Sequence, residues 1–342
     1  LRIALDLLES CPPPARNPGV YSRMVRLNVK LGNLAGASAA QGQGLALAAQ
    51  MDPKGEKTGV MQAVADMRAS LAEGQGRWRE AEPHIRKVLA LMPLRGEKPS
   101  EVLMTRLWLT RNLQAQGRLV DAEVEARQAV RDAAAAAEGD PGFLAQAAHR
   151  LGEVALAQGR LAEARDLAAA IAAMLQNAGY DPASGNVLNA LNLKAKALTL
   201  LEDFAAAGED FGAILERTRD IPDLRIRVAR NNPHLPLALL LSGRAADALD
   251  LARTIHAQLE QILGPDAFPT AQMLAVRGAA QARLGQDREA LADLSRAMPV
   301  LLSRAGTGAA NAGQAIRTRL LAGGGLGLLA RLQGSSLIRE QG

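Results

Sequence analysis

The chain has one cysteine, Cys11, and almost no rings, with aromatic residues at 2% of its 342 positions. A lone thiol excludes an internal disulfide framework and a multi-cysteine metal site, which favours a reducing compartment and a cytoplasmic location. Cys11 precedes three prolines and reads as a bystander thiol, since a nucleophile needs a base held beside it. The histidines, His84, His149, His234 and His256, are scattered, with no second His or Cys at ligand spacing, so neither a metal nor a cofactor is expected. No run is long enough to cross a bilayer: the most apolar late stretch, Leu320 to Leu332, is short and interrupted by Gly323, Gly324 and Gly325. No signal peptide opens the sequence. Charge of one sign is missing too. Lys plus Arg number 40 against 35 Asp plus Glu, a net of +5, too even for a nucleic-acid surface, which needs clustered basic residues. Few rings leave the core to Leu, Ala, Ile and Met, each contact burying less area, so a modestly stable protein is expected.

What the chain does have is a stride. Gly32/Ala37, Gly76/Ala81, Gly117/Ala122, Gly159/Ala164, Gly243/Ala248 and Gly285/Ala290 are Gly-to-Ala pairs of the same spacing. One further unit keeps Ala207 but carries Glu202 at the glycine position, and successive alanines are 41 to 44 residues apart. Regularity at that period marks a stacked repeat array. Composition favours helix almost throughout, with few β-branched residues.

The segment Gln158-Gly159-Arg160-Leu161-Ala162-Glu163-Ala164 shows what one repeat requires. Ala147 to Ala157 is a run rich in helix formers with no proline, and Gly159 supplies the left-handed backbone that closes a helix. Glu163 falls in the first turn of the next helix, where a carboxylate meets the positive dipole end; Glu80, Asp121, Asp247 and Glu289 fill the same place. Ala164 is small enough for the two helices to approach closely. A second column of Ala69, Thr110, Gly152, Ala195, Pro236 and Gly278 stands seven residues before the glycine position. Four of those six are Ala or Gly, which lets first helices of adjacent repeats nest.

A Gly-Arg-x-x-Glu-Ala turn with a small residue upstream resembles the tetratricopeptide repeat, and the long period is similar to that of kinesin light chains and their bacterial relatives. Leu263-Gly264-Pro265-Asp266, leading through Pro269-Thr270-Ala271 into the next helix, matches the loop those repeats carry. The resemblance implies an all-α fold, a right-handed α-solenoid of about seven helix-turn-helix pairs. Residues 18–304 form the array, 1–17 the tail of a truncated preceding repeat, and 305–342 a C-terminal capping or linker helix. Leu1 to Ser10 reads as the end of an amphipathic helix belonging to that earlier repeat. Glu289 to Leu294 and Ala297 to Arg304 resemble the last repeat of bacterial proteins that join such an array to a CHAT peptidase domain. Arg317 to Leu321 and Leu328 to Leu332 are similar to the helix that follows it there. The Gly323 to Gly325 run departs from that helix. It reads as a flexible break, because Gly323 to Gly327 follows no strand and lacks the Gly-Lys-Ser/Thr ending of a phosphate loop.

In that family the first helix of each pair lines a concave groove. Carried over, the groove receives Asp66, Ser70 and Glu73; Arg111 and Gln114; Gln146, His149 and Glu153; Asn189, Asn192, Lys196 and Thr199; and Arg230. A polar strip of mixed sign suits an extended peptide or a partner helix. Asn189, Asn192 and Lys196 suggest a clamp for a terminal carboxylate but sit on one helix, so none is assigned. Arg217, Arg219, Arg225, Arg227 and Arg230 lack interleaved aromatics and read as a solvated face. Pro222, Pro233 and Pro236 are expected to bend or split the sixth first helix. The function expected is a protein-interaction scaffold without catalysis. The alternative is a regulatory array for a CHAT peptidase domain outside this sequence, and sensing of nucleic acid or a signal peptide is a weaker third.

Overall fold

The computed structural model describes residues 1–11, 17–136, 140–221, 232, 234–305 and 325–333. Its α-helices are α1 (Arg2–Glu9), α2 (Pro18–Lys30), α3 (Leu34–Met51), α4 (Thr58–Gly74), α5 (Trp78–Leu91), α6 (Pro99–Ala115), α7 (Leu119–Ala136) and α8 (Pro141–Ala157). There follow α9 (Leu161–Asn177), α10 (Gly185–Leu200), α11 (Phe204–Arg217), α12 (His234–Leu241), α13 (Ala245–Leu263), α14 (Phe268–Arg283) and α15 (Asp287–Ala305). A further helical stretch covers 325–333, and no strand occurs among the described residues. From α2 to α15 the helices form seven consecutive hairpins, the number the stride predicts. The chain divides into two units, Leu1–Val154 and Ala155–Gly342, the division falling inside α8.

One turn closes every hairpin. In the fourth, Gly159 has φ 81° and the Arg160 N–H reaches back five residues to the Ala155 carbonyl at 2.9 Å, the bond that consumes an otherwise orphaned helix-end acceptor. The fifth turn builds the same bond, Asp203 N–H to Leu198 O at 3.0 Å, around Glu202 at φ 65°, the one non-glycine residue at positive φ among the described residues. The helix-closing geometry therefore survives loss of the glycine, at the cost of a strained residue.

The residue after the turn glycine pairs with the acid three places on. Arg77–Glu80 (2.6 Å), Arg118–Asp121 (2.6 Å), Arg160–Glu163 (2.7 Å) and Arg244–Asp247 (2.7 Å) recur at the start of the second helices. All are open to solvent on at least one partner, so each contributes only about 0.3–0.5 kcal/mol. Burial does more. In the first unit Ala69, Ala81, Ile85, Leu109, Leu113, Ala122 and Val154 share one cluster, and Leu5 and Leu8 of α1 join Tyr21, Val25 and Met67 in another. In the second unit Ala164 and Ala168 meet Leu193 and Ala197. Phe211, Ile214, Leu235, Leu239, Met273 and Leu301 anchor a larger cluster.

Two expectations are corrected. Pro236 neither bends nor splits α12, because it occupies the first turn, where its missing N–H has no helical partner to lose. Pro222 and Pro233 lie outside the described residues. Gly325 is not part of a flexible break either. It is helical and buried, and a Cβ there would come within 2.6 Å of Met298 Sδ. Leu328, Leu329 and Leu332 continue that contact onto Ala290, Leu291 and Leu294 of α15. Gly323 and Gly324 lie outside the described residues.

Candidate functional site

First-helix side chains ten, six and three residues before each turn glycine fall on one face at successive helical turns. In the first unit this face is knitted together from helix to helix. Asp66 on α4 is buried and accepts from Ser22 Oγ and from Arg26 Nη2 (2.6 Å), both on α2. Glu73, three residues before Gly76, accepts from Arg111 Nη2 (2.7 Å) and Asn112 Nδ2 (2.9 Å) on α6. Gln114 on α6 donates to the Glu153 carbonyl of α8 at 3.2 Å. His149 Nε2 lies 3.8 Å from Glu153 Oε1. The structure thus brings seven of the expected residues into one face: Asp66, Ser70, Glu73, Arg111, Gln114, His149 and Glu153. Gln146 lies half-buried one turn before His149 on α8.

The pairs are not equally open to a ligand. Asp66, Ser70 and Glu73 are buried, with Ser70 Oγ lacking a hydrogen-bond partner. The Arg111 side chain is 55% exposed. Two residues of this face were absent from the expected set. Ser22 and Arg26 stand ten and six residues before Gly32, so the spacing that located Asp66 and Ser70 would have found them. Arg150 adjoins His149. Burial presses its pKa below the ordinary guanidinium range against the pull of Glu153, and Arg111 presses the same way.

In the second unit, Asn189 is exposed, and Asn192 accepts from Asn232 Nδ2 across the hairpins. Lys196 is half-buried. Thr199 is fully buried, its hydroxyl donating to the Ala195 carbonyl of its own helix at 2.7 Å. Arg230, Arg225 and Arg227 lie outside the described residues. Arg217 and Arg219 are exposed, as a solvated face requires.

Away from these faces, an ionic chain that the sequence reading missed ties second helices to a first helix. Arg118 and Arg86 both hold Glu82 (2.6 and 2.9 Å), Arg86 reaches Glu125 (3.3 Å), and Arg106 binds Glu125 (2.7 Å) and Asp132 (2.9 Å). Burial alone would raise the Glu82 pKa, but Gln116, Arg86 and Arg118 outweigh it and hold the carboxyl low. A recess of about 380 Å³ at the turn between α12 and α13 is lined by Arg244, Asp247 and Arg283. Its cations are already engaged, Arg244 by Asp247 and Arg283 by the Leu240 carbonyl. No cluster of three or more His, Cys, Asp or Glu suited to a metal occurs among the described residues. Nor is any of their helices long and apolar enough to cross a membrane.

No protein-family model matches the sequence, and no curated protein matches it. Solved structures do resemble it. The apo form of RapI superposes with a TM-score of 0.52 at 10% identity, covering 94% of this chain and 86% of its own. A Rap protein complexed with competence and sporulation factor gives 0.50 at 12%, covering 93% and 89%. Nearly identical TPR-like repeats from Podosopora anserina give 0.45 at 18%, covering 60% and 97%. At these identities the likeness is one of fold. With seven hairpins closed by one recurring turn, it makes this chain an all-α helical repeat protein with the tetratricopeptide-repeat fold.

Proposed function

We propose that the chain is a binding module whose first-helix faces hold an extended peptide or a partner helix, with no catalysis of its own. One observation carries this reading: α2, α4, α6 and α8 present matched polar residues that pair from each helix to the next, leaving a half-exposed guanidinium, Arg111, on the face they build. Such a face offers fixed donors and acceptors at helical spacing, as a peptide needs. The Rap protein, of the same fold, forms a complex with competence and sporulation factor, which supports reading the fold here as one that holds a peptide or protein ligand. On this reading Asp66, Ser70 and Glu73 form the floor of the first unit's face, and Arg111, Gln114, Gln146, His149 and Glu153 meet the ligand. Asn189, Asn192 and Lys196 form a second strip in the other unit, above the buried Thr199; Arg230, assigned to it by spacing alone, lies outside the described residues. The even charge balance argues against nucleic acid, and the lone cysteine supports a cytoplasmic setting. Panning the whole chain against displayed random decapeptides tests the proposal. The expected result is a recurring consensus whose binding Arg111→Ala weakens. No recovered peptide, or binding indifferent to first-helix substitutions, would overturn it.

A second reading makes the array the regulatory part of a CHAT peptidase. It rests on the resemblance of 289–304 and of the leucine-rich helix after it, and the packing of 325–333 on α15 supports that arrangement. The gene beyond residue 342 decides it: an α/β domain bearing a His and Cys pair supports the reading, and a stop codon ends it.

A further inference from the structure

Eight residues before and eight after the hairpin turn, two side chains face each other within a hairpin. In the fifth, around Glu202, they are Lys194 and Asp210, 3.1 Å apart. In the seventh, around Gly285, they are Arg277 and Asp293, joined twice at 2.6 Å. Around Gly76 the same places hold Arg68 on α4 and His84 on α5, two bases and no acid. The seventh hairpin also shows what surrounds such a pair. Arg296, three residues beyond Asp293, reaches Glu260 of the preceding second helix at 3.5 Å. The residues in register with these two are Lys87 on α5 and Ala49 on α3. Both acids of the pattern are gone, and both permanent cations remain.

Nothing nearby replaces those acids. The helix α3 carries no charged residue at all. Every carboxylate of α4 and α5 is spent elsewhere: Asp66 on Arg26 (2.6 Å), Glu73 on Arg111 (2.7 Å), Glu80 on Arg77 (2.6 Å), and Glu82 on Arg86 and Arg118 (2.9 and 2.6 Å). On α6, which packs against α5, the single acid Glu101 bonds to Glu97. Arg68 and Lys87 are exposed and His84 is half-buried, with Arg68 and Lys87 the charges that bear on it. Like charges gathered without a counter-ion repel, and a bound anion relieves them. We propose that Arg68, His84 and Lys87 form an anion site on the second-helix side of this hairpin, and that it takes a phosphate group, free or carried on a phosphorylated side chain. Arg68 stands two residues from both Asp66 and Ser70, hence on the opposite side of α4 from the peptide face. Charge and shape select phosphate. Near neutral pH it carries close to two negative charges, matching two permanent cations, where a carboxylate matches one. The Arg68 fork grips two of its oxygens, and His84 takes up a proton and donates to a third as the anion arrives.

The test titrates the whole chain with inorganic phosphate and with a blocked phosphoserine tripeptide, with acetate at matched ionic strength as the control. The histidine ring signals are followed by NMR, and His84→Gln assigns the one that belongs to His84. Both phosphates should saturate and raise the His84 pKa by about one unit, and acetate should do neither. A peptide that binds more tightly than inorganic phosphate identifies a phosphorylated side chain as the source; one that binds equally or more weakly identifies a free phosphate. Calorimetry then compares variants. Arg68→Gln and Lys87→Gln, which alter exposed side chains and should leave the melting temperature unchanged, are each expected to weaken binding about tenfold. His84→Asp restores the pairing of the seventh hairpin and should abolish binding without lowering the melting temperature. No saturable shift with either phosphate, acetate binding as tightly as phosphate, or binding indifferent to Arg68→Gln and His84→Asp overturns the site.

Discussion

Glu73 and Arg111 lie 38 residues apart in sequence and 2.7 Å apart in space, joining α4 to α6. The Glu73 side chain is 7% exposed and that of Arg111 55%. That asymmetry decides what each substitution does. Arg111→Ala leaves a buried carboxylate with only Asn112 beside it and should cost about 1–3 kcal/mol. The same substitution in a Glu73→Gln background should cost far less, because no buried charge is stranded. Urea unfolding of the four proteins gives the coupling, expected at about 1–2 kcal/mol. Additive effects would show that the pair does not lock the two helices.

Glu202 at φ 65° occupies a conformation that a side chain resists by about 1–2 kcal/mol, and glycine adopts it freely. Some of that gain is offset by the greater freedom glycine has when unfolded, about 0.5–1 kcal/mol. Glu202→Gly should therefore stabilise the protein by about 0.5–1 kcal/mol, read as a higher urea midpoint at unchanged slope. Gly159→Ala, the opposite exchange in the preceding turn, should destabilise. If Glu202→Gly lowers the midpoint, the native Glu202 side chain outweighs its backbone strain.

Ala164 is fully buried among Leu156, Leu193, Ala197 and Leu200. Ala164→Phe forces a ring between helices whose spacing is set by a methyl group, so it should cost about 1–3 kcal/mol by overpacking. Ala164→Ser, nearly isosteric, separates volume from polarity. An unchanged unfolding midpoint for Ala164→Phe would mean that the second helix does not approach its neighbours through this position.

These positions mark where the sequence was transparent. The Gly-to-Ala turn repeats in local order, so its register, its seven copies and even its faulty fifth copy could be read from spacing; Glu202 takes the left-handed backbone its position requires. The face of the first helices was legible as a set of positions. Its pairing was not, since Arg26 with Asp66 and Arg111 with Glu73 meet only when consecutive first helices align, and nothing local records which side chain reaches across. Gly325 misled for the opposite reason: a glycine-rich run looks like a break until a neighbour such as Met298 is seen to need the space.

His256 gives the pH dependence. It is 3% exposed at the meeting of α13, α14 and α15, with Nδ1 3.4 Å from Arg277 Nη1 and its Nε2 unpartnered. Arg277 is held by both oxygens of Asp293, at 2.6 Å each, so little of that negative charge remains for a second cation. Glu260, from its own helix, lies 3.8 Å away and is shared with Arg296. Burial lowers the His256 pKa from 6.5, and Arg277 and Arg296 reinforce this against Glu260 and Asp293. A histidine with a depressed folded pKa binds its proton more readily when unfolded. The unfolded state then gains protons first as pH falls, and stability drops below the ordinary histidine pKa. Unfolding midpoints measured between about pH 7.5 and 5 should fall for wild type and fall less for His256→Asn. Part of the decline will persist in the variant, because burial and the nearby Arg68 and Lys87 lower the His84 pKa as well. Parallel curves for the two proteins would remove His256 from the acid response of this helix junction.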